Sequence, residues 1–367
     1  MYRHFILFIF FMPVLAGAQQ TGNTMKQQID SLFNSYFKTG EPGGAMLLVK
    51  EGRVIYQNAA GVADLKTGEL ISTKTLFNIG SISKTFVAYG ILKLASDGKL
   101  SLEDPLLKYF TDFRDKDIAQ KVKLFNLLTH TSGIPDSRKV EEEHVFYLTA
   151  KDAENFEPLK ATTKLEFETG TDYKYSNPAF NGLALIIEKV SGQKWQDYIS
   201  NLIFRSAGME HSTITDGPHP ETGVSHAYVK NKQHGFDELD YGEEPTFAAA
   251  GNGGVWSSVE ELWKYEQAIQ QHLFLDSNWI KRSRAVYPFP SWKGVMPSRL
   301  GLSWFLTHEA GVDIQGHTGS QGGFISDYCW LPQHKVFYVL LCNTPIPIKD
   351  LRTKLFGILK AAQWLDK

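Results

Sequence analysis

The chain has 367 residues, 43% of them hydrophobic, which is ample for a large core and exceeds the roughly 100–150 residues of the commonest domain. Its 38 lysines and arginines stand against 40 acidic residues, so the formal charge is -2 and no strong field exists to gather nucleic acid or an anionic membrane. The expected partner is a small-molecule or peptide substrate; with no heptad and no obvious apolar surface stripe, the oligomeric state is not legible.

Residues 1–18 read as a secretory signal, with an uncleaved anchor as the lesser option. Met1-Tyr2-Arg3-His4 carries one firm positive charge, residues 5–15 are apolar but far short of the roughly 20 a membrane helix needs, and Ala16-Gly17-Ala18 supplies small residues for cleavage. An exported protein, periplasmic or secreted, with no stable membrane span once the signal is gone is therefore expected. Ile29, Leu32, Phe33, Tyr36 and Phe37 then recur at helical spacing. Residues 45–50 and 53–59 read as a hairpin around Glu51-Gly52. A strong helix pattern spans residues 82–95 and closes at Asp97-Gly98.

From there to about residue 250 the chain is mainly helical, with long polar stretches at 136–170 and 216–248 that could border a cleft. Asn177-Pro178 reads as an N-cap with proline at the first helical position, and Ser257 to Glu260 has capping-box spacing. Residues 324–330 and 335–342 read as two long strands, with a last helix near residues 351–365. Early strands, a helical middle and late strands imply an α+β fold in which both chain ends complete one sheet. Residues 19–98 and 255–367 form the α/β lobe, and 99–254 form an inserted helical lobe. If the late hairpin turns at Gln333-His334, Cys329 faces Tyr338 and lies too far from Cys342 for a disulfide, leaving two buried free thiols.

A serine with a lysine three residues later occurs four times, at Ser35, Ser81, Ser96 and Ser191. Ser35 lies within a helix, and Ser96 and Ser191 lie where helices end, facing carbonyls. Ser81 alone opens a helix, where free N–H groups and the positive dipole end favour an alkoxide or oxyanion. Lys84 shares its face, and apolar neighbours there would lower the amine's pKa enough for it to accept the serine proton. Of two Tyr-x-Asn sequences, Tyr56 fits a sheet aromatic, whereas Tyr175 and Asn177 sit between a turn and a helix. A literal Lys66-Thr67-Gly68 is a loop tip. The positional counterpart of that third motif is His317-Thr318-Gly319, followed by Ser320. His130 reads as a structural loop residue. His211, His219, His226 and His234 lack close ligand spacing, so no metal site is expected.

Four segments in this order, Leu76-Phe77-Asn78-Ile79-Gly80-Ser81, Leu127-Leu128-Thr129-His130-Thr131-Ser132-Gly133-Ile134-Pro135, Tyr175-Ser176-Asn177 and Gly316-His317-Thr318-Gly319, resemble signatures of the class C β-lactamase superfamily. That group also holds penicillin-binding proteins, D-amino-acid peptidases and carboxylesterases. The resemblance covers roughly residues 24–345. It implies a β-lactamase/transpeptidase-like antiparallel sheet flanked by helices, a site in the cleft between lobes, and no cofactor or metal. It further implies that Ser81 attacks a carbonyl, Lys84 and Tyr175 share proton transfer, Ser81 and Ser320 N–H groups hold the oxyanion, Asn177 holds a substrate amide and His317 flanks Tyr175. Because His317 stands where β-lactamases usually carry lysine, an esterase or small-peptide hydrolase is expected before an efficient β-lactamase, and the intact set of Ser81, Lys84 and Tyr175 argues against a non-turnover penicillin-binding sensor.

Overall fold

A computed structural model describes residues 13–365 apart from 141, 144–145, 147–148, 215–222, 240–249, 293–298 and 310, with side chains from residue 24 onward. A seven-stranded antiparallel sheet is its centre. We number those strands in chain order: β1 (Gly44–Lys50), β2 (Arg53–Ala60), β3 (Arg299–Leu300), β4 (Phe305–Glu309), β5 (Val312–Gln321), β6 (Phe324–Leu331) and β7 (Val336–Cys342). Their spatial order is β3-β4-β5-β6-β7-β1-β2, so the first hairpin is hydrogen-bonded directly to the last strand. Residues nearly 300 apart pair, as in Gly44 with Cys342.

Local chemistry explains the elements. Glu51 (φ 50°) and Gly52 (φ 79°) make the left-handed turn of the first hairpin. β7 is a continuous apolar run, Val336–Cys342, buried along its whole length, because helices cover both faces of the sheet. On one face lie helices α1 (Pro13–Tyr36) and α6 (Ile348–Ala361), whose Ile29, Phe33, Leu351 and Leu355 meet Leu340 and Tyr338. The other face packs directly on α5 (Val259–Gln270), and the same core continues into α2 (Ser83–Ser96), α3 (Asp152–Lys160) and α4 (Asn177–Ser191). Buried Leu and Phe side chains of this kind each contribute roughly 1.5–3 kcal/mol. The apolar first-helix spacing, the hairpin and the late strands are all present.

The hairpin register pairs Cys329 with Tyr338 and Cys342 with Ile325, and both thiols are free and buried. Its turn spans four residues instead of two, which leaves the register unchanged. Two helix starts differ from the expectation. The N-cap of α4 is Ser176, whose Oγ accepts from the Ala179 N–H (3.3 Å), so Asn177 is the first helical residue and its amide is not consumed by capping. Likewise Ser258, not Ser257, caps α5 by accepting from the Glu261 N–H, and the Glu261 carboxylate accepts from the His211 and Ser212 N–H groups. The polar stretch from residue 136 also contains α3, whose Phe156 and Leu159 are buried. Of the proposed signal, residues 1–12 lie outside the described residues, and α1 begins at Pro13; no helix among the described residues is long and apolar enough to cross a membrane.

Candidate active site

Ser81 sits in a single 3₁₀ turn, Gly80–Ile82, immediately before α2 starts at Ser83, so the helix begins two residues later than the serine. No side chain caps that start, which leaves Ser81 Oγ unengaged by the backbone. Lys84, one turn on, is fully buried, and its Nζ lies 2.9 Å from Ser81 Oγ and donates to the Asn252 carbonyl at 2.7 Å. Burial, reinforced by the charge of Arg138, holds its amine well below the ordinary lysine range. The Tyr175 and Phe180 rings complete the enclosure, with centroids 5.1 and 5.9 Å from Nζ.

Tyr175 precedes the cap of α4, and its hydroxyl is buried, faces Ser81 and makes no well-formed hydrogen bond among the described residues. Burial pushes that phenol up. His130, at the left-handed φ of 56°, packs its ring 4.4 Å from that of Tyr175. Its Nδ1 accepts from the Ser176 N–H (3.1 Å), fixing the proton on Nε2. Its sequence reading as a structural loop residue omitted this contact.

The third segment arrives on β5. His317 Nδ1 donates to the Thr318 carbonyl at 2.6 Å, leaving Nε2 as a buried acceptor with no partner among the described residues. Burial and the nearby Lys84 push the imidazole down to about 3, so it is neutral at physiological pH. One residue on, β5 runs against the serine turn: a Cβ on Gly319 would stand 2.0 Å from the Ile79 carbonyl oxygen, and one on Gly80 (φ 51°) would stand 2.7 Å from the Ser320 nitrogen. Only glycine permits this approach, which sets the backbone of Gly80 directly against that of Gly319 and Ser320. Ser326 on β6 fastens it by donating to the Ile79 carbonyl at 2.9 Å.

Ser81, Tyr175, Asn177, His317, Thr318, Gly319 and Ser320 all line one cavity of about 700 Å³, with Lys84 behind Ser81. Arg138, Asn252, Phe305, Lys349 and Arg352 line it too, and none of these was singled out by sequence. Asn252 acts through its backbone, which leaves no residue-type signal. The competing serines are elsewhere: Ser35 back-bonds to the Leu32 carbonyl, Ser96 donates to Asp276, and Ser191 meets Gln193. Tyr56 is buried among the sheet and α1 side chains, and Lys66-Thr67-Gly68 is an exposed turn. His226 approaches Glu238 (3.0 Å), His219 lies outside the described residues, and no cluster among the described residues could hold a metal.

A sheet completed by both chain ends, with a serine turn held beneath one strand and a buried lysine behind it, defines the β-lactamase and transpeptidase type of fold. The chain belongs to the beta-lactamase family, whose model matches residues 23–363. Penicillin-binding protein 4* of Bacillus subtilis is 27% identical over 365 residues, covering 92% of this chain and 75% of that one. Among solved structures, a penicillin binding protein from Bacillus halodurans superposes with TM-score 0.77 at 22% identity, covering 90% of this chain and 98% of the other. The D-amino acid amidase of Ochrobactrum anthropi SV3 gives TM-score 0.78 at 19% identity, covering 94% and 99%. At these identities the structures establish the fold, and the family is one of serine hydrolases.

Proposed function

We propose that the chain is an exported serine hydrolase that works through an acyl-enzyme on an ester or on a small D-amino-acid or cell-wall-like peptide or amide. The observation that carries this reading is Lys84, buried and poorly basic, 2.9 Å from Ser81 Oγ. As a neutral amine it takes the Ser81 proton while Oγ attacks the substrate carbonyl carbon, and the C=O electron pair moves to oxygen between the Ser81 and Ser320 N–H groups. The oxyanion collapses, the leaving group departs with a proton passed from Lys84 through Tyr175, and water hydrolyses the ester on Ser81 by the reverse relay. Asn177 would hold the acyl-side amide, and Thr318, Gly319 and the strand edge of β5 would align the chain beside it.

A neutral His317 gives a β-lactam carboxylate no ionic anchor at that position, which favours esters and amides. The kinship with penicillin-binding proteins and the fold shared with a D-amino acid amidase support the same substrate range. The test is a hydrolysis screen of nitrophenyl esters, D-amino-acid amides and peptides, and cephalosporins, with fluorophosphonate labelling followed by intact mass. One adduct and ester or amide turnover, both lost in Ser81→Ala, are expected. Equal labelling of Ser81→Ala would remove Ser81 as nucleophile; labelling without turnover would show a sensor, and preferential cephalosporin hydrolysis a true β-lactamase.

A further inference from the structure

The Lys84 amine is anchored by a backbone carbonyl, that of Asn252, and what anchors Asn252 lies outside the motif residues. Residues 251 and 252 cross above α2 and are pinned from the helical side. The Gly251 N–H donates to Asp152 Oδ1 at 2.8 Å, and Asn181 Nδ2 donates both to the same Oδ1 (2.7 Å) and to Asn252 Oδ1 (3.1 Å). Gly251 lies so close to α4 that a Cβ there would stand 2.8 Å from the Phe180 carbonyl oxygen. From the other end, the Val255 N–H donates to Ser83 Oγ at 3.0 Å, at the first residue of α2. One segment thus ties the start of α2 to the starts of α3 and α4.

Asp152 is an unexpected residue for this place. It is buried at 7% exposure, no cation among the described residues forms an ion pair with it, and burial raises its carboxyl to about 7, with Glu188 as a nearby like charge and Trp195 as a further donor. A carboxylate kept without a cation in a core is costly unless its hydrogen bonds are needed.

We infer that Asp152 is a positioning residue for the reaction, setting the Asn252 carbonyl that orients the Lys84 amine. With one amine N–H committed to Asn252, the lone pair of neutral Lys84 is directed at the Ser81 hydroxyl; if the carbonyl drifts, the amine turns and the proton transfer loses its alignment. The inference rests on the hydrolase reading above. The charged or titratable groups facing Lys84 are Arg138, His130, His317 and Tyr175.

The experiment measures fluorophosphonate labelling of Ser81 against reagent concentration and pH, separating the maximal labelling rate from reagent affinity. Asp152→Ala should lower the maximal rate by about tenfold or more, since small misplacements of reacting groups cost that much, and leave affinity within about twofold. The acid-side midpoint of the rate, set by Lys84, should move by about half a unit or more as the amine changes partners. Asn252→Ala keeps the carbonyl and loses only the Asn181 bond, so it tolerates folding and should slow labelling by about threefold. Asp152→Asn, which retains an acceptor for Gly251 and Asn181, should recover most of the rate. Leu159→Ala, a cavity in the same helix, is the control for lost stability alone and should label like the parent. An Asp152→Ala chain with the parent's rate and midpoint, or Asn252→Ala at the parent's rate, overturns the inference alone. A parent chain that does not label at Ser81 overturns the hydrolase reading and the inference with it.

Discussion

The Nδ1 atom of His317 lies 2.6 Å from the carbonyl oxygen of its own neighbour, Thr318, so the ring donates there and turns a lone pair at Nε2 toward the cavity. A lysine at this place would present only donors; the histidine presents an acceptor and no charge. Because its folded pKa, about 3, is depressed below the unfolded value of 6.5, His317 favours the folded state above pH 6.5, and that contribution is lost as pH falls toward 3. The loss amounts to about 1.4 kcal/mol for each pH unit traversed. Urea unfolding at pH 7 and pH 4.5 should show the parent losing more stability than His317→Gln, and an imidazole NMR titration should show no protonation of His317 between pH 8 and pH 5.

Lys84 predicts an opposite pairing of stability and activity. Replacing it with methionine removes a buried amine whose folded pKa lies well below its unfolded one. The parent is therefore penalised in the folded state where the unfolded lysine is protonated, and the penalty shrinks as pH rises toward 10.5. Lys84→Met should raise the melting temperature at pH 7, with the difference narrowing by pH 10, while ester turnover falls about 10²–10⁴-fold for loss of the general base. A variant that is both less stable at pH 7 and fully active would contradict this account.

Gly319 should tolerate no side chain. A methyl group there would stand 2.0 Å from the Ile79 carbonyl oxygen and 2.2 Å from Ser326 Oγ, so either β5 or the serine turn must shift. Gly319→Ala is expected to cost about 1–3 kcal/mol in unfolding free energy. Separation of the Ser81 and Ser320 N–H groups should reduce the acylation rate by about 10²–10³-fold. Denaturant melts and burst kinetics on the same preparation read both.

Beneath β5 and β6, Arg284 and Glu266 form a buried ion pair (2.7 Å), with Arg284 4.2 Å from the Trp304 ring centroid and the Tyr328 hydroxyl donating to Glu266. Tyr328 is the cross-strand partner of His317, so the pair supports the cleft strand from behind. Glu266→Gln or Arg284→Met should each cost roughly 3–5 kcal/mol by stranding the other partner, whereas the double variant should cost less than their sum. Urea unfolding curves of the three variants test this.

Much of this was legible in the order of residues. Helix and strand periods located α2, the first hairpin and the late strands, since hydrophobic spacing is a local property. The Cys329–Tyr338 register followed from counting back from one turn. Cap positions were displaced by one residue at Ser176 and Ser258, because adjacent serine or asparagine side chains can all cap and only backbone geometry chooses among them. His130 read as structural, and the partner it packs on, Tyr175, is a long-range contact that no sequence spacing signals.

The sequence by itself determined which serine opens a strong helix, that a lysine shares its face, and that both chain ends carry strands, all of which depend on neighbours within a few residues. Tertiary structure decided what those residues can do. The Lys84 amine is held well below the ordinary lysine range only because burial encloses it, His317 becomes a neutral acceptor only by burial beside Lys84, and the carbonyl of Asn252 meets Lys84 only where the chain folds back across them. Burial and backbone position depend on the whole chain, and an amino-acid letter encodes neither.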